Sequence, residues 1–135
     1  MLGTLIVDDE SQNRQVIRYI LEQHCPNVEI IGEADGVSSG LKALDKLKPD
    51  LVLLDIRMED GDAFDLLNQV DKITFKIIFI TAYEEYALKA IKFSALDYLL
   101  KPVSPDDLIT AINKAENQYM RDLQVQLAEL NHNLS

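Results

Sequence analysis

Short apolar segments and segments with helical spacing alternate along the chain, and this alternation limits the fold more than any other feature. Five apolar runs rich in Val, Ile, Leu and Phe cover residues 3–7, 28–34, 50–55, 76–81 and 96–100. Several of them are continuously apolar, as strands are when a parallel sheet is covered on both faces. Strands that alternate with helices indicate an α/β domain with a parallel sheet.

The segments between these runs predict four helices, because their apolar residues recur at the spacing of a helical face. The stripes are Val16, Ile17, Ile20 and Leu21; Leu41, Leu44 and Leu47; Phe64, Leu67 and Val70; and Ala87, Leu88, Ala90 and Ile91. The connections between elements are short, and the natural expectation for 135 residues is one domain.

A fifth helix is predicted to begin at Ser104 and Pro105, which stand in cap-then-proline order. Its apolar residues, in nearly heptad spacing, are Leu108, Ile112, Ala115, Tyr119, Leu123, Leu127, Leu130 and Leu134. This helix is longer than the sheet requires, so we expect its first half to pack on the domain and its second half to project. We assign residues 1–120 to the domain and residues 121–135 to a helical extension or linker. A dimer helix, a linker and a solvated tail all remain open interpretations of the extension.

The charge balance bears on partners and location. The formal net charge is −10, which favours a soluble protein and argues against direct binding to nucleic acid or to an anionic membrane. The single cysteine, Cys25, has no partner for an internal disulfide, which fits a reducing compartment. No apolar run is long enough to cross a bilayer. We therefore expect a cytoplasmic protein.

Acidic residues follow the first and third apolar runs at their carboxyl ends. Asp8 and Asp9 come after the first run, and Asp55 ends the third. In an open α/β sheet of flavodoxin-like order 2-1-3-4-5, the first and third strands are neighbours and ligands bind at their carboxyl ends. Three carboxylates in one crevice need a cation to remain ionised together. Their hard oxygen ligands select Mg²⁺, or Mn²⁺, over zinc.

The fourth and fifth runs end in groups of complementary chemistry. Thr81 offers a hydroxyl, and Lys101 offers a compact positive charge. A hydroxyl, an ammonium and a metal around a carboxylate can receive a phosphoryl group, whose transfer needs positioning and charge neutralisation more than covalent help. The combination therefore points to phosphoryl transfer.

With these residues in view, the sequence resembles the receiver domain of two-component response regulators, a CheY-like family. The resemblance rests on "IVDDE" (6–10), "LVLLDIRM" (51–58), "IIFITA" (77–82) and "DYLLKP" (97–102) and covers residues 1 to about 120. Residues 81–103 are similar to receivers of the LytTR (LytR/AlgR) type, which usually precede a β-rich DNA-binding domain.

The resemblance implies a role for each acidic residue. Asp55 would be the phosphoacceptor and would take a phosphoryl group from the phosphohistidine of a sensor histidine kinase. Asp8 and Asp9 would hold Mg²⁺, Asp9 the more directly, together with Asp55 and the backbone carbonyl of Arg57. The protein itself would be a switch rather than an enzyme, apart from slow self-dephosphorylation.

The resemblance also implies how the switch works. Thr81 would hydrogen-bond the phosphoryl oxygens, Lys101 would pair with the acceptor and then with the phosphate, and Tyr98 would be the aromatic residue that turns inward on activation. The Lys101–Pro102 bond is typically cis in the family. Activation would alter the face formed by the fourth helix, fifth strand and fifth helix (the 4-5-5 face), which commonly mediates homodimers. DNA would be reached only through an output domain absent from this chain.

Two departures concern the loop after the third strand. Many receivers carry Pro four residues after the acceptor and Gly eight residues after it, where this chain has Glu59 and Ala63. We therefore expect a different turn there. Bulky Arg57 and Tyr83, at positions that tune water access in the family, lead us to hypothesise a slowly decaying phosphorylated state.

Two other functions compete with this interpretation. A metal-dependent phosphatase acting through an aspartyl phosphate commonly needs a second Asp two residues after the nucleophile, where this chain has Arg57. A stand-alone receiver or scaffold would act through protein contacts alone, and the intact set of acidic, hydroxyl and lysine residues argues against a scaffold that never accepts phosphate.

Overall fold

The main sheet has the strand order that the sequence predicts. The structure, a computed structural model, describes residues 1–134, so Ser135 of the predicted extension lies outside the described residues. The strands of the main sheet are β1 (Leu2–Val7), β2 (Val28–Ala34), β3 (Leu51–Leu54), β4 (Lys76–Thr81) and β5 (Asp97–Leu100). They are all parallel, in the order β2-β1-β3-β4-β5. The flavodoxin-like fold is therefore confirmed.

Helices cover both faces of this sheet. They are α1 (Ser11–His24), α2 (Val37–Leu47), α3 (Ala63–Asn68), α4 (Ala87–Ile91), which follows a 3₁₀ turn at Glu84–Tyr86, and α5 (Pro105–Leu134). Successive strand residues point to opposite faces, and two separate apolar clusters result. One joins the sheet to α2, α3 and α4, and the other joins it to α1 and α5.

Some residues of the predicted helical stripes lie outside the core. Val16 is 50% exposed, because α1 contacts the sheet through Ile17, Ile20 and Leu21. In α4, Leu88 and Ile91 are 80% and 69% exposed. Val70 lies beyond the end of α3, where the backbone tightens into hydrogen bonds between residues three apart. Helical spacing therefore predicted the helices correctly but overstated their buried faces.

The loop after β3 forms a small ribbon in place of an ordinary turn. Arg57–Met58 pairs antiparallel with Gly61–Asp62, and Gly61 has a φ of +139°, a conformation that favours glycine. Asp62 caps α3 in a reciprocal pair of hydrogen bonds with Asp65.

The same ribbon caps a second helix. The carboxylate of Asp60 accepts hydrogen bonds from the backbone N–H groups of Val37 (2.8 Å) and Ser38 (3.0 Å) at the start of α2. The residue at the cap position itself is Gly36, which has no side chain to serve. A Cβ at Gly36 would lie 2.6 Å from the Asp60 carboxylate, so this close approach requires glycine.

The last helix both covers the sheet and extends past it. Ser104 begins it, accepting a hydrogen bond from the Leu108 N–H at 3.0 Å. Leu108, Ile112 and Ala115 are buried against the sheet. Of the described side chains, those from residue 124 to residue 133 are all exposed. The first half of the helix therefore packs and the second half projects, as the sequence predicts.

Candidate functional site

The three predicted carboxylates meet at the carboxyl edge of the sheet. Strand β1 runs directly into Asp8 and Asp9, and its neighbour β3 runs into Asp55. One carboxylate oxygen from each residue lies within 4.8 Å of the other two. Asp8 and Asp55 are buried, whereas Asp9 is half-buried and closer to solvent. The convergence follows from the placement of β1 and β3 side by side.

The backbone and side chain of Asp8 are held on all sides. Its N–H donates to the Ala34 carbonyl at 3.0 Å, and its carboxylate accepts the N–H of Glu10 at 2.9 Å. Its carbonyl oxygen accepts a hydrogen bond from the Arg14 guanidinium at 2.6 Å. The turn after β1 that carries Asp8 and Asp9 (the acidic turn) is therefore held in place by the protein itself, without a ligand.

Lys101 bridges the two buried carboxylates. Its Nζ lies 2.8 Å from Asp8 Oδ2 and 2.9 Å from Asp55 Oδ2. Burial acts to lower the pKa of Lys101, but the hydrogen bonds to Asp8 and Asp55 outweigh it, so the pKa is raised. The ammonium therefore remains charged at neutral pH and partly neutralises the cluster.

The pKa values of two of the carboxyls show how crowded the cluster is. Burial raises the pKa of Asp55 despite its hydrogen bond with Lys101. Burial, with repulsion from Asp8 and Glu10, also raises the pKa of Asp9. One ammonium is thus insufficient to offset three carboxylates.

The donor set fits a hard divalent cation. The cluster presents three carboxylates, and it contains no histidine or cysteine. Oxygen-only sets of this kind suit Mg²⁺ or Mn²⁺. Burial, with repulsion from neighbouring carboxylates, raises the pKa of Asp55 and of Asp9, and a bound cation would favour their ionised forms. Asp8, Asp9 and Asp55 are the side chains that would hold it. The backbone carbonyl of Arg57, two residues beyond Asp55, remains a prediction.

Thr81 and Tyr98 are connected through the backbone of Tyr83. Thr81 is fully buried at the end of β4, and its hydroxyl accepts the Tyr83 N–H at 3.4 Å. The Tyr98 hydroxyl donates a short hydrogen bond to the Tyr83 carbonyl. Burial raises the pKa of Tyr98, which keeps this hydroxyl a donor at neutral pH. The Lys101–Pro102 peptide bond is cis.

Arg57 and Tyr83 contact each other beside this site. The guanidinium carbon of Arg57 lies 5.1 Å from the centre of the Tyr83 ring, within cation–π range. Each residue is two positions past a residue of the predicted site, Asp55 and Thr81 respectively. The two bulky side chains therefore form one pair instead of two independent obstacles.

Sequence reasoning missed the residues that support the site. Arg14 and Asp60 were assigned no role, although Arg14 holds the acidic turn and Asp60 joins the ribbon after Asp55 to α2. Arg14 lies five residues after Asp9, within the first turns of the predicted helix, and that spacing could have suggested it. Nothing local in the sequence connects Asp60 with Gly36.

Comparison with known proteins agrees with this geometry. The sequence profile of the response regulator receiver domain matches residues 4–113. Sensory transduction protein LytT of Bacillus anthracis is 41% identical over 127 residues, which are 93% of this chain and 51% of LytT. Transcriptional regulatory protein BtsR of Escherichia coli K12 is 39% identical over 104 residues, 76% of this chain and 43% of BtsR.

Solved structures give the same result. The response regulatory domain of protein mrkE from Klebsiella pneumoniae has 30% identity and a TM-score of 0.81, covering 89% of this chain and 99% of its own. The REC domain of AraT, a response regulator from Geobacillus stearothermophilus, has 28% identity and a TM-score of 0.82, covering 90% and 98%.

Fold, site and profile together define a receiver domain, the class of signalling domain through which two-component systems act. The chain belongs to the response regulator receiver domain family, and its similarity to the LytT proteins agrees with the LytTR-type resemblance. It spans about half the length of these LytT relatives. Among residues 1–134, no helix combines the length and apolarity needed to cross a membrane.

Proposed function

We propose that this receiver accepts a phosphoryl group on Asp55 and uses it to switch a protein interface. The observation that carries the proposal is the surrounding of Asp55: an ammonium at 2.9 Å and two further carboxylates within 4.8 Å. In response regulators the donor is a histidine kinase, and the kinase for this chain would present its phosphohistidine in the cytoplasm. A divalent cation bound by the three carboxylates would supply positive charge to the equatorial oxygens during transfer.

The residues of the chain have distinct parts in the transfer. The Asp55 carboxylate attacks phosphorus, a new O–P bond forms, and the P–N bond to the donor histidine breaks. Lys101, now shared between Asp8 and Asp55, is close enough to turn its ammonium toward a phosphoryl oxygen. The Thr81 hydroxyl would donate to a second phosphoryl oxygen. Transfer adds roughly two negative charges at a place that already lacks positive charge.

The hydrogen bonds of Tyr83 suggest how the added charge reaches the surface. When Thr81 turns toward the phosphoryl group, its 3.4 Å contact with the Tyr83 N–H is lost. The backbone of Tyr83 then moves, and its carbonyl no longer holds the Tyr98 hydroxyl in place. Tyr98 turns inward toward the space that Thr81 leaves. The phosphoryl group biases this equilibrium only by its different interaction energy with the two states.

A phosphodonor experiment tests the proposal. The protein is incubated with Mg²⁺ and a small acyl phosphate, and its intact mass is measured. We expect the mass of one phosphoryl group on the wild type and none on Asp55→Asn. Asp60→Asn is the matched control, because Asp60 lies in the same loop but outside the cluster, and it should be phosphorylated like the wild type. No gain in mass on the wild type would support a scaffold, and multiple turnover of phosphomonoesters would support a phosphatase.

The contact between Arg57 and Tyr83 supports slow loss of the phosphoryl group. The guanidinium carbon of Arg57 lies 5.1 Å from the centre of the Tyr83 ring, and a pair held together in this way would narrow the path by which water reaches Asp55. Arg57→Ala and Tyr83→Ala should each shorten the lifetime of the phosphorylated protein, and the double variant should differ little from either single one because the pair acts together. A wild-type lifetime as short as that of fast chemotaxis-type receivers would contradict this part of the proposal.

Exposed apolar residues support a homodimer through the 4-5-5 face. Leu88 and Ile91 of α4 and Leu100 of β5 are 80%, 69% and 45% exposed. Phosphorylation should shift the protein from monomer to dimer in sedimentation experiments, and Ile91→Glu should prevent the shift without blocking phosphorylation.

The projecting part of α5 offers a second surface for self-association. Val125, Leu127 and Leu130 are 56%, 59% and 55% exposed. Dimerisation retained by Ile91→Glu and lost in Leu127→Glu would assign the dimer to the helix instead of the 4-5-5 face.

The output is proposed from the relatives. BtsR is called a transcriptional regulatory protein, and this chain covers 43% of it. We infer that the receiver controls transcription through a DNA-binding domain outside this chain, with α5 as the connection. A stand-alone receiver acting through protein contacts is the alternative, and sequencing the gene past the codon for Ser135 separates the two.

A further inference from the structure

We propose that Arg14 is a positioning residue that holds the acidic turn in the geometry that binds the divalent cation. This inference rests on the proposed cation site, because it concerns how that site is kept in shape. Arg14 lies on α1, and its hydrogen bonds do not go to the carboxylates of the cluster. Its hydrogen bonds go to the backbone of the turn and to β2.

The contacts of Arg14 join three elements at one point. Its Nη1 donates to the carbonyl oxygen of Asp8 at 2.6 Å, and its Nε donates to Glu33 Oε1 on β2 at 3.0 Å. Only 19% of its side chain is exposed. The rigid fork of a guanidinium suits these two hydrogen bonds, because its donors keep a fixed angle to each other. Glu33 thus orients Arg14, and Arg14 orients the turn.

The carbonyl of Asp8 controls the direction of the next residue. The peptide unit is planar, so fixing the Asp8 oxygen also fixes the nitrogen of Asp9. The amino side of Asp8 is already fixed by its N–H bond to Ala34. Without Arg14, the peptide between Asp8 and Asp9 could rotate, and the Asp9 carboxylate would leave the position in which it lies within 4.8 Å of its two partners.

Electrostatics and positioning predict opposite effects of removing Arg14 on Mg²⁺ binding. Arg14 is a cation near an acidic cluster, so its removal should make the cluster more attractive to Mg²⁺ through space. Loss of positioning should make binding weaker, since removing a residue that orients metal ligands typically costs about 10–100-fold in metal affinity. The sign of the change therefore separates the two roles.

Arg18 provides a matched control. It is one helical turn further along α1 and pairs with the same Glu33, at 2.6 Å, and with Glu22 at 3.3 Å. Its side-chain hydrogen bonds go to these two glutamates. Arg18→Met therefore removes a similar charge and a bond to Glu33, and it leaves the acidic turn untouched.

The test is the Mg²⁺ affinity of the full chain, measured by calorimetry, with thermal unfolding recorded for every variant. We expect Arg14→Met to weaken Mg²⁺ binding at least about 10-fold, while Arg18→Met stays close to the wild type. Unchanged or tighter binding in a folded Arg14→Met protein overturns the proposal. If Arg14→Met fails to fold, Arg14→Lys keeps the charge but lacks the rigid fork that holds the Asp8 carbonyl and Glu33 at a fixed angle, and it should still bind Mg²⁺ more weakly than the wild type; equal affinity there also overturns the proposal.

Asp9→Asn distinguishes failure of this inference from failure of the cation site. Wild-type binding that Asp9→Asn abolishes establishes the site, and a normal affinity of Arg14→Met then contradicts only the role of Arg14. No Mg²⁺ binding by the wild type, or binding that Asp9→Asn leaves intact, overturns the cation site and this inference with it.

Discussion

At the same edge of the sheet, a cluster of three carboxylates and one separate carboxylate, Asp60, behave in opposite ways. In the cluster of Asp8, Asp9 and Asp55, burial and mutual repulsion raise the pKa of Asp55 and Asp9. At the start of α2, backbone hydrogen bonds from Ser38 and Val37 lower the pKa of Asp60. Ionisation of Asp55 and Asp9 therefore costs folding free energy, whereas ionisation of Asp60 stabilises the fold.

The difference lies in what each carboxylate faces. Asp60 is exposed to water and accepts two N–H groups that would otherwise lack a partner at the helix end. The cluster instead puts three carboxylates around one ammonium. The cation of the proposed site would balance the charge of the cluster, whereas the cap by Asp60 is satisfied within the chain. Function and stability are therefore separated between neighbouring loops.

The largest expected effect comes from removing the one cation of the cluster. Lys101→Met leaves the carboxylates of Asp8 and Asp55 buried without an opposite charge, and breaking a buried pair in this way costs about 3 kcal/mol of unfolding free energy. Urea unfolding in the presence of a chelator measures it. Added Mg²⁺ should restore part of the loss, because it supplies the missing charge. A variant as stable as the wild type under chelation would show that the cluster holds no strain.

A smaller effect of opposite sign is expected at Asp55, the proposed phosphoacceptor. The pKa of Asp55 is higher in the folded than in the unfolded state, so the folded protein binds this proton more tightly. Stability is then lost as pH rises from the unfolded pKa of about 3.9 through the raised folded pKa. At neutral pH, Asp55→Asn should therefore make the chelated protein more stable than the wild type.

Urea unfolding at pH 7 under chelation measures the Asp55→Asn effect, and Asp60→Asn again serves as the comparison, because it should destabilise. If Asp55→Asn proves less stable than the wild type, its ionised carboxylate contributes to the fold, and the contrast between the two loops fails. Excess Mg²⁺ should reduce or reverse the advantage of Asp55→Asn, since the cation binds the wild-type site better.

The contribution of the Asp60 cap to the stability of the protein should depend on the space left by Gly36. Gly36→Ala places a Cβ 2.6 Å from Asp60 Oδ1, so the carboxylate must move away from α2. We expect a loss of stability smaller than the change at Asp55. The double variant Gly36→Ala, Asp60→Ala should lose little more than Gly36→Ala alone, because both changes remove the same hydrogen bonds. Full additivity in thermal unfolding would show that the two positions act independently.

The sequence predicts the part of the site that depends on strand order. Once β1 and β3 are neighbours, Asp8, Asp9 and Asp55 must meet, and a lysine at the end of β5 can reach them. The contact of Arg14 with the Asp8 carbonyl depends on how α1 is rotated on the sheet, which apolar spacing fixes only coarsely. Val16 shows the limit, because it belongs to the predicted stripe and yet is half exposed.

The sequence does not predict that Asp60 caps α2, and the reason differs from that for Arg14. Asp60 and Val37 are 23 residues apart, and neither carries a local signal that identifies the other. The departures at Glu59 and Ala63 indicated an unusual turn, but its ribbon and its reach to α2 follow from tertiary packing. Gly36 alone does not indicate the cap, because its contribution is the space that a side chain would fill and that the Asp60 carboxylate occupies instead.

The smallest effect is the pH dependence of the cap. The folded pKa of Asp60 is lowered, so its contribution is present above the unfolded pKa of about 3.9 and disappears as pH falls through the folded value. Thermal midpoints of the wild type and Asp60→Asn should differ at pH 6 and converge as the pH falls below about 3.9. A difference that stays constant across this range would mean that Asp60 acts through its shape alone. Asp55→Asn should show the opposite trend under chelation, with an advantage that grows as the pH rises, because the two carboxyl pKa values are shifted in opposite directions.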